Sequence, residues 1–170
     1  GIGGAVQTGF LYARSRGYGL AVQVDGDGQH LPSEIAKIAG PVRSGEADAV
    51  IGSRFLDKSR FPGSPFRRAG IAVFQLVNRT LLGERITDST SGFRAYNRRA
   101  IEVLAESYPD DYPEPEAIYI LRRKGLRVRE VPVEMRTRAG GKSSITLGRS
   151  FYYTVKVNLA ILVLTLRKDV

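Results

Sequence analysis

Two carboxylates one residue apart, Asp25 and Asp27, lie in a glycine-rich turn, Asp25-Gly-Asp-Gly-Gln-His30, that ends the apolar run Leu20 to Val24. Hard divalent cations take oxygen ligands, and Mg²⁺ commonly uses only one or two carboxylates when substrate phosphates and water complete its shell. Asp25 and Asp27 suit that role, and Gln29 could add a neutral oxygen. Asp-Gly between apolar runs is also a hairpin signal. Here, however, Ile35, Ile38, Ala39 and Val42 follow with helical spacing, with Pro32 at the entrance and Glu34 in the first turn, so a strand-to-helix crossover fits better. An EF-hand calcium loop needs Gly at its sixth position and Glu at its twelfth, where this chain has His30 and Ala36. Taken alone, two acids in a turn are equally compatible with solvated loop residues, so the remaining elements must decide.

Those elements read as follows. Val6, Phe10 and Ala13 mark a helix over 4–16, closed by Gly17 and Gly19. A strand over 20–24, the acidic turn and a helix over 32–44 come next, followed by a short buried strand over 47–52 that passes into Ser53-Arg54-Phe55. The order α-β-α-β predicts a parallel sheet with helices on its faces, and ligands gather at the carboxyl ends of such strands. Asp25, Asp27 and Arg54 all fall there. Residues 57–66 read as a surface loop, and Ile71, Phe74, Val77 and Leu81 as an amphipathic helix over 68–82. The polar loop Asp88 to Arg94 leads through Ala95-Tyr96 into helices near 98–106 and 115–124, the second stopped by Gly125. Residues 126–135 read as a strand in which Glu130 breaks the alternation and Pro132 removes a donor, which predicts an edge or a bulge. Arg136 to Ser144 is a basic, glycine-hinged loop, either a linker or a lid that closes on an anion.

The final segment carries Phe151, Val155, Leu159, Leu162 and Leu166 on one face, flanked by Arg149, Lys156, Arg167 and Lys168. It falls short of the ~20 apolar residues that span a bilayer. An interfacial helix and a core or oligomer-packing helix are the two readings. The expected organisation is a domain over 1–144 followed by this helix over 145–170.

Composition bounds the answer. A chain of 170 residues with 42% hydrophobic content folds around a real core. The absence of cysteine excludes a disulfide framework and a thiolate metal site. A net charge of +9, dominated by Arg, calls for an anionic partner: nucleic acid, nucleotide or lipid phosphate. The opening Gly1-Ile2-Gly3-Gly4 shows no signal-peptide pattern and reads as a chain entered partway into an α/β unit.

Placed on these elements, Asp25 and Asp27 at one strand end, Arg54 at the next, Arg67 and Arg68 at a helix start, Arg94 in the Ser/Thr/Gly loop and Arg138 with Lys142 in the lid suggest polyphosphate handling. Arg grips phosphate bidentately while a metal neutralises a diphosphate. A dinucleotide fingerprint at Gly1-Ile2-Gly3-Gly4-Ala5-Val6 is a weak rival, because Val6 stands in place of the third glycine and Asp27 has no use in it. A basic nucleic-acid-binding module is permitted by charge alone, but the basic residues are dispersed and aromatic recognition motifs are missing.

Four ordered motifs, Asp25-Gly-Asp-Gly-Gln-His30, Gly52-Ser-Arg-Phe55, Asp88-Ser-Thr-Ser-Gly-Phe-Arg94, and Glu130-Val-Pro-Val133 followed by Arg138 and Gly141-Lys142-Ser143, resemble those of family 2 glycosyltransferases, specifically the dolichyl- and polyprenyl-phosphate sugar synthases. The resemblance runs along nearly the whole chain. It implies an α/β GT-A fold, a Rossmann-like, mostly parallel sheet with helices on both faces. It also implies a nucleotide-diphosphate sugar as donor, a polyprenyl phosphate as acceptor and Mg²⁺ or Mn²⁺ as cofactor.

By the same resemblance Asp25, Asp27 and Gln29 form the metal and diphosphate site, and Arg54 with Arg67 or Arg68 contacts the acceptor phosphate. Asp88, Ser91 and Arg94 line the sugar and acceptor side, and Arg138 with Lys142 closes over the diphosphate. The lipid phosphate attacks the anomeric carbon with inversion; a hydroxyl acceptor of a glycan or glycolipid would instead need a base, for which Asp88 is the candidate. The expected location is peripheral, on the cytoplasmic face of a membrane, with no nucleic-acid partner. The family's first strand and base-holding loop are expected upstream of Gly1, so these residues alone should bind nucleotide poorly.

Overall fold

Apolar residues at helical and strand spacing produce the alternating elements the sequence predicts, and one more strand. The computed structural model describes residues 1–56, 86–109 and 113–136. Among the described residues the order is α1 (Ile2–Ser15), β1 (Leu20–Gln23), a single 3₁₀ turn (Pro32–Glu34), α2 (Ile35–Arg43), β2 (Ala49–Ser53), β3 (Arg94–Asn97), α3 (Arg98–Glu106), α4 (Pro113–Arg123) and β4 (Val128–Pro132). Asn97 caps α3 by accepting the Ala100 N–H at 2.9 Å, which satisfies one of the first-turn donors a helix leaves unpaired. The loop at 57–66, the helix at 68–82, the lid and the terminal helix lie outside the described residues. None of the described helices is long and apolar enough to cross a membrane.

The α-β-α-β order predicts parallel β1 and β2 as neighbours. They do point the same way, but β3 lies between them, antiparallel to both, and the sheet order is β1-β3-β2-β4. β4 runs parallel to β2 at the edge, where Pro132 costs the sheet little. Three of the four described strands run in one direction, so the sheet is mostly parallel, as expected, with β3 as the antiparallel member.

The two faces of the sheet carry separate cores. Ala49 and Ile51 of β2 and Tyr96 of β3 pack against Phe10 of α1, Ile101 and Leu104 of α3, and Ile118 and Leu121 of α4. Phe10 meets the Tyr96 ring edge-on at 5.0 Å. On the other face, Val50 and Ala95 pack with Phe93 against Ile38 and Val42 of α2. Helices therefore cover both faces, as a buried α/β sheet requires.

β3 has a consequence for the site. Because it runs against its neighbours, the loop entering it lies at the same edge of the sheet as the residues leaving β1, β2 and β4. Asp25, Arg54, the 88–93 loop and residues 133–136 thus converge.

Candidate active site

The acidic turn is fixed from two sides. Within it, the Gln29 N–H donates to Asp27 Oδ1 at 3.1 Å, and Gly28 takes the left-handed φ of 75° that the reversal requires. Across the edge, the Arg136 N–H donates to the Gln29 carbonyl at 2.8 Å, and His30 bridges Met135. The turn is therefore tied to the chain leaving β4 and is not a free loop.

Asp25 is seated on Gly92. A Cβ at position 92 would run into both Asp25 carboxylate oxygens, so only glycine lets this carboxylate lie where it does. His30 flanks it, with Nε2 3.4 Å from Asp25 Oδ2, and stacks on Phe93 with ring centroids 4.7 Å apart. The Asp25 side chain keeps 41% exposure against 6% for His30, so Asp25 is open to solvent and His30 lies behind it.

Arg54 is held by Asp88. Nε donates to Oδ2 and Nη2 to Oδ1, both at 2.7 Å, and the Arg54 backbone N–H adds a third bond to Oδ2 at 3.1 Å. Thr90 Oγ1 accepts from Nη2 at 3.3 Å. Burial works against the Arg54 charge, but the Asp88 hydrogen bonds and the carboxylates of Asp88 and Asp25 outweigh it and raise its pKa. Arg54 thus feels both acids although they come from different segments. The Asp88 side chain is 0% exposed.

Glu130 was missed as a site residue by sequence reasoning, although it belongs to one of the four motifs and breaks the β4 alternation. Its carboxylate accepts the Thr87 N–H at 2.7 Å, the Asp88 N–H at 2.8 Å and the Thr87 hydroxyl at 3.0 Å. Thr87 Oγ1 also lies 2.7 Å from Ser53 Oγ at the end of β2. Burial raises the Glu130 pKa, opposed by the two backbone donors and helped by the Asp88 charge.

Ser91 and Arg94, expected on the sugar and acceptor side, are internal. Ser91 Oγ donates to the Gly52 carbonyl at 2.7 Å. Arg94 is 1% exposed, and its guanidinium donates to the carbonyls of Ser91, Ser89 and Glu114, each at 2.7 Å. It pins the loop to the start of α4 and offers no open edge to a ligand; a basic residue in a polar loop gave no sign of this in the sequence. Arg67, Arg68, Arg138 and Lys142 lie outside the described residues.

The donors at this edge fit a hard divalent cation. The described residues contain no cluster of three or more His, Cys, Asp or Glu that could cage a metal. Asp25 and Asp27, with Gln29 two residues on, offer a partial oxygen set of the kind that suffices where a diphosphate supplies the remaining ligands; the Gln29 amide itself donates to the Arg136 carbonyl at 3.4 Å.

Comparison with known proteins agrees with this arrangement. The sequence profile of Glycosyl transferase family 2 matches residues 1–105. A UDP-N-acetylglucosamine–dolichyl-phosphate N-acetylglucosaminyltransferase of Methanococcus voltae is 35% identical over 137 residues, 79% of this chain and 55% of the relative. An undecaprenyl-phosphate mannosyltransferase of Micrococcus luteus is 34% identical over 152 residues, 87% of this chain and 62% of its own length. A polyprenol monophosphomannose synthase of Mycolicibacterium smegmatis is 34% identical over 150 residues, 86% of this chain and 56% of its own length. The chain therefore spans somewhat over half the length of the curated relatives it matches. With the family profile covering more than half of the chain and the described parts of its motifs meeting at one edge, the chain belongs to glycosyl transferase family 2, an enzyme family of GT-A fold.

Proposed function

We propose that the protein transfers a sugar from a nucleotide-diphosphate sugar to a polyprenyl phosphate, with inversion at the anomeric carbon. The observation that carries this reading is the state of Asp88: both of its oxygens are bound by Arg54 and its side chain is closed to solvent. The best candidate base for a hydroxyl acceptor is thus engaged. Glu130 is occupied by Thr87 and Asp88, and His30 is covered against Phe93. A phosphate monoester needs no such base, because its second pKa is about 6 and it is already an anionic nucleophile at neutral pH. The relatives whose names specify polyprenyl or dolichyl phosphate support the same acceptor.

The residues would then divide the work by charge. Arg54, fixed by Asp88, presents a preorganised cation to the acceptor phosphate. An acceptor oxygen forms the new bond to the anomeric carbon as the bond to the diphosphate oxygen breaks, and the electron pair leaves with the nucleotide diphosphate. Asp25, Asp27 and Gln29 would hold Mg²⁺ or Mn²⁺, which when bound supplies neutralisation of that diphosphate. Arg67 or Arg68 would share the acceptor phosphate, and Arg138 with Lys142 would cover the diphosphate. The apolar, base-flanked segment over 145–170 would lie at the cytoplasmic membrane surface, where a polyprenyl phosphate resides.

The test is a screen of nucleotide sugars with the full-length protein, Mn²⁺ and polyprenyl phosphate. A glycosylated lipid phosphate whose formation stops with chelator is the expected product. Transfer only to glycan or glycolipid hydroxyls would replace the reading with the alternative acceptor class.

A further inference from the structure

We infer that Glu130 is a positioning residue that sets the Arg54 guanidinium through Asp88. The inference rests on the reading of Arg54 as the acceptor-phosphate ligand. Glu130 stands on β4 and Arg54 just past the end of β2, and neither the sheet register nor any direct bond between their side chains ties the one to the other's ligand-facing end. The connection is the 87–88 segment. Glu130 takes both of its backbone donors, Thr87 N–H at 2.7 Å on Oε2 and Asp88 N–H at 2.8 Å on Oε1. Asp88 in turn takes both guanidinium donors of Arg54 at 2.7 Å.

Two adjacent backbone N–H groups on two oxygens of one carboxylate leave the segment little freedom to rotate. A two-bond fork onto Asp88 then passes that orientation to Arg54. Three further bonds brace the same point: Thr87 Oγ1 to Glu130 Oε2 at 3.0 Å, Thr87 Oγ1 with Ser53 Oγ at 2.7 Å, and the Phe55 N–H to Ser53 Oγ at 3.1 Å. A partly buried acid is costly unless its acceptors are used. Among the described residues, every hydrogen bond it accepts comes from the loop that holds Arg54.

Glu130→Gln tests this, because an amide matches the shape but must turn an NH₂ toward one of two N–H donors. Two readouts on the full-length protein separate the relay from the reading beneath it. The first is the Arg54 Nε–H resonance, identified by its loss in Arg54→Lys. Clamped on Asp88, it should exchange slowly in the native protein, and in Glu130→Gln at least about tenfold faster. The second is steady-state kinetics: the polyprenyl-phosphate KM should rise on the order of tenfold while the nucleotide-sugar KM stays within about twofold.

In a cycle with Asp88→Asn, adding Glu130→Gln should cost little more, as expected for two residues acting through one contact. An unchanged Arg54 resonance, equal rises in both KM values, or an additive cycle would overturn the relay. A native protein that glycosylates only hydroxyl acceptors would overturn the phosphate reading, and the Arg54 resonance would still decide the relay. If Glu130→Gln does not fold, Thr87→Val removes only the hydroxyl bonds and keeps the backbone donors. It should then shift the same two readouts in the same direction by a smaller factor, and no shift would overturn the relay.

Discussion

Arg54 and Asp88, 34 residues apart in the chain, meet as a fork: Nε on one carboxylate oxygen and Nη2 on the other, both at 2.7 Å. The pair closes Asp88 to solvent and leaves Arg54 31% exposed, so the anion is spent inside while the cation faces outward. Among the described residues no hydrogen bond is made by Arg54 Nη1, the donor edge that the proposed acceptor phosphate would take. Arg54→Lys keeps the charge but has no fork. It is expected to lower kcat/KM for the acceptor about 10- to 100-fold, the equivalent of about 1.5–3 kcal/mol for bonds to charged groups. Steady-state kinetics in which the nucleotide-sugar KM remains near its original value would check the assignment.

Gly92→Ala tests the seat of Asp25. The new methyl meets the carboxylate directly, so Asp25 must move. The fold should survive, because the obstacle is the end of a partly exposed side chain and not packed backbone. The expected result is Mn²⁺ affinity reduced about tenfold, in line with losses seen when ligand orientation is disturbed, with a small change in Tm. Unchanged metal affinity would show that the seat is not needed.

Asp25→Asn and Asp27→Asn should each weaken Mn²⁺ binding by at least about tenfold, since each removes a charged oxygen from a set that has few. Electron paramagnetic resonance of free Mn²⁺ in the presence of nucleotide diphosphate reads this without requiring turnover. Native affinity in both variants would remove the acidic turn from the metal site.

How much of this was legible in the sequence depends on the range of the interaction. Ile38 and Val42 gave away α2 because the helical period is local, and the strand before Asp25 was visible for the same reason. β3 was not, because Arg94-Ala-Tyr-Asn97 is four residues with polar ends, and its strand character comes from pairing with both β1 and β2. The acidic turn announced itself by spacing. The employment of Asp88 by Arg54, of Arg94 by three carbonyls, and of Glu130 by a segment 42 residues away did not, because chain-distant hydrogen bonds leave no period. Residue types were therefore a good guide to which segments meet and a poor guide to which charged groups are paired within the protein.

Asp48, at the opposite end of β2, supplies a stability prediction. Its carboxylate accepts from the Arg127 N–H and from Asn97 Nδ2, both at 2.8 Å, and it is 2% exposed. Burial acts to raise its pKa, but these bonds and the Arg99 and Arg127 charges prevail and lower it below 3.8. A depressed carboxylate stabilises the fold above its unfolded pKa, and that contribution fades as pH falls through the lower folded value. Asp48→Ala should therefore cost about 1–3 kcal/mol at neutral pH by leaving two partly buried donors without their acceptor. The gap in denaturation midpoint between native protein and variant should hold from neutrality to mildly acidic pH and narrow below about 3.8. A gap that widens on acidification would contradict the assignment.

The most direct test of the central claim is an acceptor comparison with the full-length protein: one nucleotide sugar and Mn²⁺, offered polyprenyl phosphate or the unphosphorylated polyprenol of the same chain length. If Arg54 grips a phosphate and Asp88 is not available as a base, the phosphate should be favoured by at least about a thousandfold in kcat/KM, the combined worth of a lost charged contact and a missing general base. Comparable transfer to the alcohol would contradict the account.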